Sequence, residues 1–550
     1  MKMRNIVLIV SVIAGGLFMS CQSSGAATAQ IPGDLPDYDG FISGGYMPGT
    51  VYVLNPPNGQ DQVLVAQAVQ GIVSRNSTQI YIQFTAAYRH WFEESRAKYR
   101  FRTTNTELWE LVNRFKDSFK GYVSYNPEEP EHLNYAATIA GVLDALPVST
   151  RLVARVRQMG YTELDNASSY DNIQQIITKY GDRLNKKIFL NQGPELYGLR
   201  DYGIKEKCII AWPNNLDPVY DFLDDNAILL GWHVEEVSGV NAASKKQVVT
   251  IAADHAYNLS FFSAIAANTH KQKEPVDKDL TAQNGKHYIA FVYSDGDNIQ
   301  WLLNDGAMDI TKFAHDKSAK IPFGWSLAPT LPDFAPVLMD YMYTTAAPTD
   351  NFVAATSGFA YMHPSEYYNA GRMDALKEFG KLTAEYMLKS DMKYTEILDE
   401  YVNDPNIEVL DAYTENDAIK GVLYKSGNRY SGGRGFLRWS NGKPVVAFRE
   451  SLWSNINNNN RDIYQMAYRI TQYAKNPATI DGYTLINVHA WSHDYSSVEK
   501  IVQWLRTNDR DVIVVTPDTL MRLISENVPK TDAQPVKNWN DNYNYPSGLY

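Results

Sequence analysis

The chain has 550 residues, room for roughly two to four domains with large cores, and a formal net charge of −11. That charge argues against nucleic acid and against an anionic bilayer surface as ligand, and suits a neutral or cationic partner. Its 37 tyrosines against 20 phenylalanines, with 11 tryptophans besides, supply rings that pack on apolar faces and offer a polar edge, so carbohydrate is a reasonable ligand class.

Lys2 and Arg4 precede the apolar run Ile6–Met19, too short to span a membrane and flanked as a secretory signal is. The run ends at Phe18-Met19-Ser20-Cys21, which resembles a bacterial lipoprotein cleavage box of the relaxed Bacteroidetes type. Residues 1–20 are therefore read as a signal peptide and Cys21 as the lipidated N-terminus of an exported protein. Its membrane contact would be the lipid alone, on the periplasmic or outer-membrane side. The competing reading is ordinary cleavage after Ala27-Thr28-Ala29, which releases a soluble protein. Loss of Lys2 and Arg4 with the leader leaves a charge of −13. Cys208, the other of the two cysteines, lies in the strand-like Lys207–Trp212 and reads as a buried structural thiol. The fold must then stand on its cores rather than on disulfides.

Residues 21–50 read as a tether. Val51–Leu54 is a short strand, Gln60–Ser74 a helix and Gln79–Phe84 a strand, the spacing of a βαβ unit with a parallel sheet. Helical patterns follow at 89–99 and 105–119, then a strand at 121–125 and a helix at 135–146. Further strands are expected at 187–190, 208–212, 227–232 and 247–252. Residues 51–270 thus form one or more Rossmann-like α/β subdomains, with no glycine fingerprint for a dinucleotide and so no cofactor. His270–Lys286 is polar and reads as a linker. Beyond it, strands are expected at 288–293, 322–327, 352–355, 406–409, 421–424, 444–448, 483–488 and 512–515. Helices are expected at 299–304, 333–343, 370–390, 461–475 and 496–507. This α/β alternation over 287–525 predicts a C-terminal (β/α) barrel-like domain with fewer than eight regular strands; an open doubly wound sheet gives a similar pattern. Residues 526–550 read as an extended or disordered tail.

The motif Ser294-Asp295-Gly296-Asp297-Asn298 closes the most apolar of these strands. Strand ends of a parallel sheet carry chemistry in such folds, and two carboxylates there can act as acid and base or hold a cation. The plain alternative is a helix cap made by Asp297 or Asn298. Other strands end in comparable clusters: Ala328-Pro329-Thr330, after a strand that contains Trp325; Thr356–Glu366 with Tyr361 and His363; Arg449-Glu450 with Trp453; and His489, Trp491, His493 and Asp494. Parallel neighbours would bring all of these to one mouth.

Gly358-Phe359-Ala360-Tyr361-Met362-His363-Pro364 resembles the signature of the GxGYxYP family of putative glycoside hydrolases. Gly358, Tyr361 and Pro364 are in register, while Ala360 replaces the second glycine and His363 the second tyrosine. Val69–Arg75 and Tyr257–Ser260 are also similar to that family's N-terminal part. The resemblance implies an N-terminal α/β region, a C-terminal barrel-like domain and carbohydrate processing in an exported bacterial protein. A second similarity, of residues 485–520 to the closing strand, helix and strand of polysaccharide deacetylases, implies a divalent metal. His489 and His493 have the four-residue spacing of a metal pair, though at the last strand rather than the second.

Glycoside hydrolysis needs two carboxyl groups flanking the bond. Asp295 or Asp297 is expected to pair with Glu450 on a different strand, with Glu366 in reserve. The tryptophans would supply an apolar surround for the acid, Arg449 and the histidines would bind hydroxyls or a carboxylate, and Trp325, Tyr361, Trp453, Trp491 and Asp494 are expected with them among the substrate-binding residues. The alternatives are a metal-dependent deacetylase-like hydrolase and a non-catalytic glycan-binding lipoprotein.

Overall fold

The computed structural model describes residues 48–212, 216–265, 270–427, 429–453, 461–531, 533 and 545–546. The leader, Cys21, most of the tether and most of the tail lie outside the described residues. No described helix is long and apolar enough to cross a membrane.

The N-terminal region holds three small sheets. The first contains β1 (Thr50–Leu54), β2 (Ile80–Ile82) and β3 (Arg102–Thr106), in the order β2-β1-β3. The second contains β4 (Gly121–Tyr125), β5 (Ala145–Ser149) and β6 (Glu163–Asn166), in the order β5-β4-β6. The third contains β7 (Ile188–Asn191), β8 (Ile209–Ala211), β9 (Ala227–Gly231) and β10 (Val248–Ala252), in the order β10-β9-β7-β8. All three are parallel. The helix Gln60–Ser74 is buried continuously from Val63 to Ser74 and packs on the helix Arg200–Lys205, so it ties the first sheet to the third unit. Cys208 is fully buried at the start of β8.

The C-terminal sheet has ten strands: β11 (His287–Tyr293), β12 (Phe323–Leu327), β13 (Asp350–Ala354), β14 (Tyr394–Leu398), β15 (Gly421–Lys425), β16 (Leu437–Ser440), β17 (Lys443–Ala447), β18 (Glu450–Leu452), β19 (Tyr483–Val488) and β20 (Val512–Val514). Every pairing is parallel except that of β16 with β17. Strands β11 to β15 and β19 are buried along their whole length, as parallel strands covered by helices are. β17 pairs with β15, and β18, two residues later, pairs with β19. Between them the Phe448 N–H donates to Tyr424 O and the Arg449 N–H to Leu485 O, each at 3.0 Å.

Two differences from the sequence reading matter for the site. Residues 406–409 are not a strand: Asn406 accepts from the Glu408 N–H (2.9 Å) and caps the helix Ile407–Thr414. The missing strand is β14, directly after the amphipathic helix Met373–Lys389, where Glu396 interrupts the apolar run. Smaller shifts are the short β3 and β5, which take up ends of the segments expected to be helical at 105–119 and 135–146.

Candidate active site

The ladder of β11 ends where the Ser294 N–H donates to Val488 O (3.0 Å). Asp295 then enters the left-handed region at φ 66°, a conformation Asp tolerates better than most residues. Gly296 lies against β12: a Cβ there would sit 1.6 Å from Ser326 O, so no side chain fits. Asn298 caps the next helix, its Oδ1 accepting from the Trp301 N–H at 3.0 Å. Capping thus falls to Asn298, and Asp295 and Asp297 both line a cavity of about 300 Å³.

Asp297 is only partly exposed, and the protein packed around it desolvates its carboxyl. Desolvation, then the charge of Asp295, pushes it up to about 7, against the opposing influence of its own backbone N–H and of Lys425. Asp295 accepts hydrogen bonds from Trp491 Nε1 (2.9 Å) and from Ser294 Oγ.

The facing wall comes from the third N-terminal unit. Trp232 and Glu236 follow β9, and Ala252 ends β10. Glu236 as a whole residue is exposed, yet protein around its carboxyl raises its pKa, with Asp295 the second cause. Tyr361 joins the two walls. Its backbone pairs antiparallel with Thr250 of β10 (2.8 and 2.9 Å), and its hydroxyl lies 3.3 Å from Glu236 Oε1 and 3.3 Å from His363 Nε2.

Close to Asp297, Lys425 of β15 pairs with Glu396 of β14 at 2.8 Å, the two side chains 1% and 0% exposed. Ser326 of β12 donates to the same Glu396 oxygen (2.9 Å). Burial raises the Glu396 pKa. At the end of β14, burial pushes Asp399 up to about 7 while hydrogen bonds from Ser365 and Tyr424 oppose the shift. Glu400, half-buried, is also raised by burial and acts electrostatically on Glu236 and Tyr430. Sequence reasoning missed Glu236, Tyr430 and the acids of β14. Only the acids carried a signal, Glu396 within Tyr394–Leu398 and the pair Asp399-Glu400 after it.

Three matches to known families place the chain. Residues 285–525 match the "GxGYxYP putative glycoside hydrolase C-terminal domain", 186–264 the GxGYxYP third domain and 52–117 the GxGYxYP first domain. The chain belongs to the GxGYxYP family. A solved structure, titled as a putative hydrolase from Bacteroides thetaiotaomicron, is 28% identical with a TM-score of 0.76, over 87% of this chain and 95% of that one. No curated protein matches.

The GxGYxYP signature is a seam between two units. Gly358 sits at φ 96°, where a Cβ would also strike the Thr383 side chain at 2.4 Å, so the first glycine is required. Ala360 is not in the left-handed region, so the missing second glycine costs no strain. His363 is buried behind Tyr361: its N–H donates to Ser244 Oγ (3.0 Å), its Nδ1 contacts Asn241 Oδ1, and burial lowers its pKa to about 4. Pro364 starts the helix Pro364–Asn369.

Tyr361 and Trp491 line the cavity with Asp295 and Asp297. Trp453 and His489 stack beside it (centroids 3.6 Å apart, planes at 8°), with Trp453 edge-on to the lining Tyr430. Burial lowers the His489 pKa and Asp295 opposes this. His489 Nδ1 meets Ser492 Oγ at 2.8 Å and His493 Nδ1 meets Ser497 Oγ at 3.1 Å. Among the described residues no group of three or more His, Cys, Asp or Glu side chains is arranged to hold a metal ion. Asp494 caps the helix Tyr495–Asn508. Trp325 is a core residue whose Nε1 donates to Asp350 (2.9 Å). Arg449 lies 3.6 Å over the Tyr473 ring and donates to Asp481 O (3.4 Å), beside the N-terminal end of β19.

The expected pairing with Glu450 needs correction. Successive strand residues face opposite sides. Ser451 meets Asn487 Nδ2 (3.1 Å), while Glu450 points to the helix Arg461–Thr471 and the turn after it. There Arg469 holds both its oxygens (3.1 and 2.7 Å) and Tyr473 donates a third bond. Glu450 is 3% exposed and is not part of the cavity lining. It is one half of a bidentate ion pair.

Proposed function

We propose that this protein is a glycoside hydrolase whose reaction takes place in the cavity lined by Asp295 and Asp297, with Asp297 as general acid and Asp295 as its partner carboxylate. One observation carries this reading: a carboxyl held up to about 7 beside a second carboxyl, in a cavity walled by Trp232, Tyr361, Tyr430 and Trp491. A carboxyl whose surroundings raise it toward neutral pH is suited to act as a general acid. Pushed up to about 7, Asp297 keeps a substantial protonated fraction toward neutral pH and gives its proton to the leaving glycosidic oxygen; the Asp295 carboxylate beside it stabilises the oxocarbenium-like transition state. The rings pack against the apolar faces of the sugar.

The large sheet is read as closing into a barrel-like ring of seven parallel strands. The continuity of β17 and β18, paired with β15 and β19, supports that closure. The site then lies at the carboxyl ends of its strands, where barrel enzymes carry their chemistry. Export and lipid attachment at Cys21 belong to the same proposal, on the pattern of the leader.

Asp297→Asn and Asp295→Asn should each fold, by circular dichroism, and lose roughly 100-fold or more of their turnover on unactivated glycosides. Asp297→Asn should lose far less on nitrophenyl glycosides, whose leaving group needs no proton. Wild-type turnover in both variants would sink the assignment.

A further inference from the structure

A second cavity of about 420 Å³ adjoins the first, and Trp491 lines both. Both volumes fall within the roughly 300–1,000 Å³ of small-molecule sites. One stretch of chain serves the pair: Gln300 faces the first cavity, while Trp301, Asn304, Asp305 and Lys312 face the second. Within that stretch Leu302–Gly306 winds as a π-helix, a rare geometry frequent at functional sites.

Trp491 is the link. It is 59% exposed, an uncommon state for the largest side chain, yet its orientation is set by the bond from its Nε1 to Asp295 and by contact with the Trp301 ring at 5.8 Å. An indole held in place and open to solvent between two cavities is a platform for a flat ligand with an apolar face. Around it the second cavity offers an amide and charged side chains. Asn304 is itself positioned, its Nδ2 donating to Gln300 O at 2.8 Å, and Lys312 is steadied by Asp309. Amide and charged groups beside two tryptophans suit a ring bearing several hydroxyls.

We propose that the second cavity is a glycan subsite, and that one oligosaccharide runs from the cavity of Asp297 across Trp491 into it. The substrate class is then an oligo- or polysaccharide rather than a single sugar on an arbitrary aglycone. The inference rests on the hydrolase reading for the identity of the ligand as carbohydrate, and it is tested without turnover. The full-length Asp297→Asn protein is screened on a glycan array, and mono-, di- and tetrasaccharides of the glycan it retains are titrated by calorimetry. The tetrasaccharide should bind roughly tenfold or more tighter than the monosaccharide. Adding Trp491→Ala or Lys312→Ala should shrink that ratio, while Trp491→Phe, which keeps an aromatic face but not the Nε1 bond to Asp295, should preserve more of it than Trp491→Ala does. Retention of no glycan, equal affinity at all chain lengths, or a ratio unmoved by Trp491→Ala and Lys312→Ala would each overturn the subsite. Turnover by the wild type is scored separately, so a hydrolase with no second subsite and a glycan binder with no hydrolysis give different results.

Discussion

Asp297→Asn should make the protein more stable at neutral and alkaline pH, and the gain can be worked from the cavity. Protein around the carboxyl and the charge of Asp295 lift it from the ordinary 3.8 to about 7. Between those values the folded chain holds one proton more than the unfolded chain, so stability falls as pH rises across the window, and the loss is complete above 7. That difference corresponds to ~4 kcal/mol, and water in the open cavity trims this to ~2–4 kcal/mol. Asn mimics the neutral acid and escapes the loss. Urea midpoints of wild type and Asp297→Asn, measured from pH 4 to 8.5, should lie close together at the acid end. They should then separate in favour of the variant by that amount as pH passes 7. Curves that run parallel over the whole range would refute the raised carboxyl, and with it the choice of Asp297 as acid.

Breaking the buried pair with Lys425→Met should cost ~3–5 kcal/mol in denaturant unfolding, because Glu396 is left charged and uncompensated; Glu396→Leu added to it should recover much of the loss. If Asp297 is the acid, any turnover by folded Lys425→Met protein should have its alkaline limb displaced to higher pH, since Lys425 lowers Asp297. Glu450→Gln should lower stability by ~1–3 kcal/mol through the bond to Arg469, with kcat per folded molecule near wild type. A folded Glu450→Gln protein without turnover would restore Glu450 to the chemistry.

The parts of this architecture that follow from periodicity were readable from the chain. The apolar run of β11, the acidic turn after it and the alternation of strands and helices all come from local spacing. What failed was side-chain direction. Glu450 and Asp297 both close strands in the sequence, but one step of pleat sends Glu450 to the helix behind β18. β14 escaped because its charged Glu396 is neutralised by Lys425 from the neighbouring strand, a partner 29 residues away that no local pattern shows. Trp325 and Arg449 read as binding groups for the same reason: their nearness to strand ends was visible, and the partners Asp350 and Tyr473 that absorb them were not. Glu236 and Tyr430 lay beyond reach, since only the docking of distant segments brings them to the cavity.

That docking also explains why the family signature lies where it does. In the third unit the strand order reverses at β7, with β8 on one side and β9 on the other. Open α/β sheets bind ligands outside the carboxyl ends of strands at such a reversal. Trp232 and Glu236 follow β9 there, and the carboxyl ends of β11, β14 and β19 supply Asp297, Leu398 and Trp491 from the facing sheet. Two sets of strand carboxyl ends meet across one cavity, and Gly358–Pro364 is the clasp that holds them in register through Thr250, Ser244 and Asn241. A clasp needs the tight turn of Gly358 and the backbone of Tyr361, which are kept, more than it needs a hydroxyl at position 363. Asp295 and Asp297 lie on one side of the cavity and Trp232, Glu236 and Ala252 on the other, so residues 285–525 by themselves would carry the two acids with one wall of the cavity missing.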